Sequence, residues 1–289
     1  MKNIVYAFTL LISAALHGQY YYNDIIGTRE INDKMKAFVA AKVQSVTATG
    51  YDPHGVKTTD FSERQDVQAN GSILKTTTRN GQSITRLYYQ FDSKTRLIKS
   101  TDSTGDIQII SIYAYNDSGN LTRILTTRRD SKMDFNELED RQWQYSADGK
   151  PKIMYRIVNG TDSTEYRFTR DEQGNLEDET LYRRYNDKDT VYYYIYENQR
   201  IYYYYDDQDR LTDIVRYNKK VKELLPDVMF QYDENNHVIQ RITTLVAWPP
   251  DYLEWRYLFN DKGLKTKEAL YSKSKNLKGR IDYVYSFAP

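Results

Sequence analysis

The sequence predicts an all-β protein: an antiparallel β-hairpin repeat meander forming a curved or superhelical sheet, with one short N-terminal helix. Three observations predict it. Two aromatic residues separated by one recur eight times, a turn-forming residue follows each pair, and alternating apolar residues flank the turns. The copies are Tyr89-Gln90-Phe91-Asp92, Tyr113-Ala114-Tyr115-Asn116, Trp143-Gln144-Tyr145-Ser146, Tyr166-Arg167-Phe168-Thr169, Tyr203-Tyr204-Tyr205-Asp206, Phe230-Gln231-Tyr232-Asp233, Tyr257-Leu258-Phe259-Asn260 and Tyr283-Val284-Tyr285-Ser286. The second rings stand at 91, 115, 145, 168, 205, 232, 259 and 285, so the step varies from 23 to 37 residues.

Taken in order, the chain opens on Met1-Lys2-Asn3, runs through an apolar stretch from Ile4 to Leu16 and meets Gly18-Gln19 before a tyrosine-rich segment. That is the pattern of a secretory signal peptide, residues 1–18, with cleavage expected after Gly18 and Ala15 as the fallback. The stretch is shorter than the roughly 20 apolar residues of a helical span, and no membrane span is expected in the mature chain. Residues 19–60 form an N-terminal segment with a first strand and a capping helix at about 28–43. There Ile31, Met35, Phe38, Val39 and Ala40 fall at helical spacing behind Thr28 as N-cap. Its expected role is to cover an open edge or end of the sheet. Residues 61–289 hold the hairpin array.

Each part of the repeat has a mechanical reason. Rings at i and i+2 share one face of a strand, where their area packs against neighbouring rungs. Asp, Asn, Ser or Thr then opens a turn through its side-chain oxygen. Gly119, Gly149, Gly263, Asn236 or Asp209 follows where the backbone needs positive φ. An aliphatic such as Leu97, Leu121, Leu211 or Val238 starts the return strand. Four copies depart from the pattern: Thr95 replaces the turn glycine, Pro151 the aliphatic, two extra residues are inserted before Gly174, and Leu264 comes one position early. Asn70-Gly71, Asn80-Gly81 and Asn159-Gly160 supply further tight turns.

Composition excludes several classes. With 0 Cys, thiolate zinc sites, iron–sulfur clusters, disulfides and a lipidated cysteine are all ruled out. The 41 basic and 40 acidic residues become 40 and 40 once Lys2 leaves with the signal peptide, and charges are interspersed, so nucleic acid is not an expected partner. The expected location is secreted: extracellular, periplasmic or at the cell surface.

These residues resemble the bacterial RHS or YD-repeat family, whose units carry a Tyr-Asp pair, a glycine turn and a following Leu. Tyr205-Asp206 with Leu211, Tyr232-Asp233 with Val238, and Tyr115-Asn116 with Gly119 and Leu121 carry the likeness, over roughly residues 85–287. The resemblance implies a wound strip of sheet, extracellular surfaces and carbohydrate binding. In the family, long arrays enclose a toxic domain; this chain is shorter than such shells. Tyr51-Asp52-Pro53-His54-Gly55 is similar to a signature near the end of those shells but lies ahead of the repeats, and reads as an ordinary turn.

No catalytic, cofactor or metal residue stands out. After signal cleavage only His54 and His237 remain, each beside a turn, and no nucleotide, metalloprotease or nucleophile-elbow motif is present. Asp and Asn turns lack the spacing of a calcium loop. Tyrosine is the distinctive feature, 29 in all, because rings can stack on sugars while hydroxyls hydrogen-bond. Tyr192, Tyr194, Tyr203, Tyr205 and Trp248 are the candidate ligand contacts, weighed against cross-strand ring ladders that serve as core. The leading reading is a non-enzymatic secreted β-repeat module that binds glycan, envelope polymer or another secreted protein, or acts as a scaffold. An outer-membrane β-barrel is the alternative, opposed by strand charges such as Arg86, Arg123 and Arg216. A polysaccharide-active enzyme comes third.

Overall fold

A computed structural model describes residues 20–187, 190–195, 200–218, 221–245 and 251–288, with backbone alone over 183–187 and 190–195. The expected signal peptide and its cleavage point fall outside them. Helix α1 spans Tyr22–Ala40. Strands β1 to β6 follow at Val43–Tyr51, Lys57–Gln68, Ile73–Asn80, Ser83–Phe91, Leu97–Thr104 and Ile107–Tyr115. Strands β7 to β12 lie at Leu121–Asp130, Phe135–Tyr145, Pro151–Val158, Asp162–Arg170, Leu176–Asp187 and Thr190–Ile195. Strands β13 to β19 lie at Ile201–Tyr205, Leu211–Asn218, Glu223–Tyr232, Val238–Leu245, Asp251–Phe259, Lys265–Ser272 and Leu277–Phe287.

The sheet is a closed barrel, which corrects the expected open meander. Consecutive strands pair antiparallel, and β1 also pairs with β19 through Val46↔Tyr285, Ala48↔Tyr283 and Gly50↔Ile281. Strand β11 pairs with β12 over Tyr182–Asp187 and with β13 at Asp178 and Glu179, so β12 and β13 share one stave and 19 strands make 18 staves. Closure gives every stave a hydrogen-bonded neighbour on both sides, which an open or superhelical strip cannot achieve at its two edges. The capping of an edge by the helix is therefore unnecessary.

Turns alternate between the two ends. Those at 92–96, 116–120, 146–150, 171–175, 206–210, 233–237 and 260–264 all lie at one, the motif end, while 52–56, 81–82, 105–106, 131–134 and 159–161 lie at the far end. The motif turns share one hydrogen-bond pattern: Asp206 N–H donates to Arg210 O at 3.0 Å and Asp209 N–H to Asp206 O at 3.0 Å, as at Asn116 and Asn260. Thr95 keeps that geometry at φ 59, where a β-branched residue is strained and its counterparts Gly119 and Gly149 are not. Asp52 to Val56 forms the same turn, with Gly55 N–H donating to Asp52 O at 3.0 Å.

Alternation gives the wall two faces. Both rings of each motif turn inward, and the residues between them, Gln90, Gln144, Arg167 and Gln231 among them, turn outward. Helix α1 lies within the ring. Its N-terminal half packs with Trp143, Met154, Phe168, Ile201, Tyr203 and Val228, its C-terminal half with Val46, Leu74, Phe91, Leu97 and Tyr285. Contacts from staves on all sides place it across the lumen, close to the motif turns. It begins at Tyr22 rather than Thr28 because Ile25 and Ile26 continue the face that packs on the wall. Lys42, at φ 55, ends it and turns the chain into β1.

The candidate functional site: a barrel mouth filled by a helix

The motif end is built from rings. Trp143 and Phe168 stack at 5.1 Å between centroids, Tyr21 meets Tyr166 at 4.4 Å, and Tyr22 stands edge-on to Tyr203 at 5.3 Å. Burying each such ring is worth roughly 1.5–3 kcal/mol. In four motifs the second tyrosine also joins one hairpin to the next. Tyr115 donates its hydroxyl to Leu97 O at 2.7 Å, Tyr145 to Leu121 O at 2.6 Å, Tyr232 to Leu211 O at 2.7 Å and Tyr285 to Lys265 O at 2.7 Å. Each acceptor lies at the start of the preceding hairpin's return strand, so the hydroxyl fixes hairpin against hairpin. From above, Arg96 covers the Tyr115 ring at 4.8 Å, Arg210 covers Tyr232 at 4.9 Å, and His237 stacks on Phe259 at 4.5 Å.

For Tyr203 and Tyr205 the structure assigns a packing role in place of the expected carbohydrate contact. Tyr203 is only 4% exposed, and Tyr203 and Tyr205 stand together on the inner face against α1. Ring faces already packed on protein cannot stack on a sugar. Tyr192 and Tyr194 are described as backbone alone, in register with Tyr185 and Arg183, and Trp248 lies outside the described residues. The histidines are structural too: His237 Nδ1 meets Asp233 Oδ2 at 2.9 Å, and His54 is an exposed turn residue whose N–H donates to Asp52 at 2.9 Å. Among the described residues no three His, Asp or Glu side chains gather as a metal site.

What the sequence reading missed is the polar anchorage of α1. Glu179, 1% exposed, accepts from Tyr21 N–H at 2.8 and 2.9 Å, Tyr22 N–H at 3.0 Å and the Tyr203 hydroxyl at 2.9 Å. A carboxylate from β11 thus satisfies the free amides at the start of the helix, the task a local N-cap usually performs. Burial nevertheless pushes its pKa up to about 7, the three donors only partly offsetting the lost hydration. Asp24 pairs with Arg141, which also meets Glu139 at 3.3 Å, and burial lifts Asp24 to about 6 against the pull of the guanidinium. Asn32 Oδ1 accepts from Leu97 N–H at 2.8 Å. Lys34 is brought down to about 8 by burial, opposed by Glu63 and Glu268 and assisted by Lys265. Glu179 sits in an unremarkable Glu-Asp-Glu-Thr stretch, and only closure brings it beside a segment 158 residues earlier.

The outer wall uses tyrosine differently. Glu165 lies opposite Tyr182 and holds Arg167 at 2.5 Å over that ring, 4.2 Å from its centroid. Glu254, opposite Tyr271, holds Arg256 at 2.6 Å, and the guanidinium lies 4.7 Å from the Tyr271 centroid. Arg123 grips Asp140 with two bonds at 2.8 and 2.9 Å. Arg86 and Arg123 thus face outward as the sequence reading assumed, whereas Arg216 turns inward beside Ile201.

No family model matches the chain, and no curated protein matches it. Solved structures do. A porin-like protein from Bacteroides uniformis is 11% identical at a TM-score of 0.40, over 84% of this chain and 98% of that one. A porin-like protein from Bacteroides vulgatus is 10% identical at 0.26, over 86% and 98%. TcdB2-TccC3 without its hypervariable C-terminal region is 13% identical at 0.33, and the match spans 78% of this chain but only 12% of that one. Likenesses of this order do not bear on activity. Of the readings drawn from sequence, the β-barrel is the one that the fold bears out, and the wound-strip, sugar-binding emphasis gives way to it.

Proposed function

We propose that the protein is a non-enzymatic β-barrel of the cell envelope, sealed at its motif end by its own N-terminal helix and standing in water. The observation that carries this is the sidedness of the wall. Its apolar rings face α1, while Arg64, Arg167 and Arg256, with their carboxylate partners, face out at mid-strand. A lipid-facing wall needs an uninterrupted apolar band about 25 Å tall, and an arginine at its midplane costs about 2–4 kcal/mol. Among the described residues both histidines are engaged in turns, and the two carboxylates with raised pKa, Glu179 and Asp24, are taken up by the helix amides and by Arg141.

The alternative placement, an outer-membrane barrel, is favoured by the closure itself and by the even number of staves. Fractionation of the expressing cell separates the two. The water-facing barrel is recovered without detergent and gives no conductance in a planar bilayer. Recovery only in detergent, with gel mobility that changes on heating, would establish the membrane placement instead.

A further inference from the structure

We propose that α1 is a displaceable stopper, able to swing out of the barrel mouth about Ala41 and Lys42 while the 18-stave wall stays closed. The proposal rests on the reading of α1 as the seal and adds that the seal opens. Among the described residues, no backbone-to-backbone hydrogen bond joins α1 to the wall, whereas every stave is bonded to both neighbours without it. Side chains alone hold the helix: apolar packing, plus the polar latches at Glu179, Arg141 and Asn32.

That interface differs from a permanent core in its chemistry. Asp24 and Lys34 are charged groups on the helix: Asp24 pairs with Arg141, and Lys34 is buried within electrostatic reach of Glu63, Lys265 and Glu268 on the wall. On withdrawal both sides regain water, so the desolvation penalty that opposes seating is returned. The opposite face of α1 is already wet, with Arg29, Asp33 and Lys36 exposed. At the pivot Lys42 has φ 55, and its carbonyl accepts from Ala288 N–H at 2.8 Å, which fixes the base about which the helix would turn.

Amide hydrogen exchange on the full mature chain tests this, read at the helix centre near Met35 so that fraying of the ends does not count. The expected result is exchange of α1 through an opening that leaves the wall amides protected. Glu179→Gln should raise the α1 rate about tenfold and Asn32→Ala should raise it to a lesser degree, both without changing the wall. Exchange of helix and wall together, at one rate in wild type and both variants, would overturn the proposal and make α1 fixed core. The seal reading would survive that outcome; it falls only to conductance or to a need for detergent.

Discussion

The inner and outer faces of this barrel use the same amino acid in opposite ways. On the inner face Tyr145 and Tyr232 are covered, and their hydroxyls reach backbone carbonyls of the neighbouring hairpin at 2.6 and 2.7 Å. On the outer face Tyr182 and Tyr271 lie flat under arginines that are tethered by glutamates, and the group that meets water is the guanidinium. Hydration explains the division. A buried hydroxyl without a partner is costly, so Tyr145 and Tyr232 reach carbonyls and Tyr203 reaches Glu179; an outer ring needs only a polar cover. A wall one sheet thick is thereby stabilised from inside by burial and screened from outside by charge.

The comparison predicts a steep contrast in stability. Trp143→Ala, which opens a void between Phe168 and the N-terminal half of α1, should lower unfolding free energy in urea by about 3–5 kcal/mol. A loss no larger than that of Tyr182→Ala on the outer wall would break the division. Glu179→Ala should cost about 3 kcal/mol, because it strands two helix amides and the Tyr203 hydroxyl in a buried site.

The pH dependence sharpens the same point. Glu179 is raised from 4.5 to about 7 and Asp24 from 3.8 to about 6, so the folded state binds protons more readily than the unfolded chain. Their buried charge therefore opposes folding fully above pH 7. The penalty is relieved as pH falls from about 7 toward 4.5 for Glu179, and from about 6 toward 3.8 for Asp24. Wild type should gain stability between pH 8 and 5.5 relative to Glu179→Gln, measured by denaturant midpoint. An equal slope in the two proteins would remove Glu179 as the cause.

Smaller effects complete the series. Tyr145→Phe removes one buried hydroxyl bond and should cost about 1 kcal/mol, whereas Tyr204→Phe on the outer face should be neutral by thermal melting. Arg64→Ala, which removes a pair with Asp66 on the outer face, should cost no more than about 0.5 kcal/mol, and less in high salt. A salt-independent loss of 2 kcal/mol there would mean that the outer wall carries a structural load of its own.

Much of the hairpin was legible because its causes are local. Asp206, Asp209 and Leu211 announce the turn and the return strand within six residues, and Tyr203 with Tyr205 announces a shared face. The inward place of Tyr203 was not legible because alternation assigns faces in pairs without saying which of them meets water: Tyr203 and Tyr204 look alike in sequence, yet one is 4% and the other 45% exposed. The helix was legible from Ile31 to Ala40. Its first turns were not, because Tyr22 to Gly27 lacks a local cap and takes its carboxylate from Glu179.

The sequence by itself therefore determined the unit: paired rings, a polar turn, an aliphatic return, one helix and no disulfide, all properties of neighbouring residues. Only the tertiary structure decided that β1 meets β19, that the rings face inward and that α1 fills the mouth. The physical reason is that unpaired strand edges and an exposed band of rings are penalties of the whole sheet. They vanish together when it closes around its own helix, and no stretch of residues read alone contains that solution.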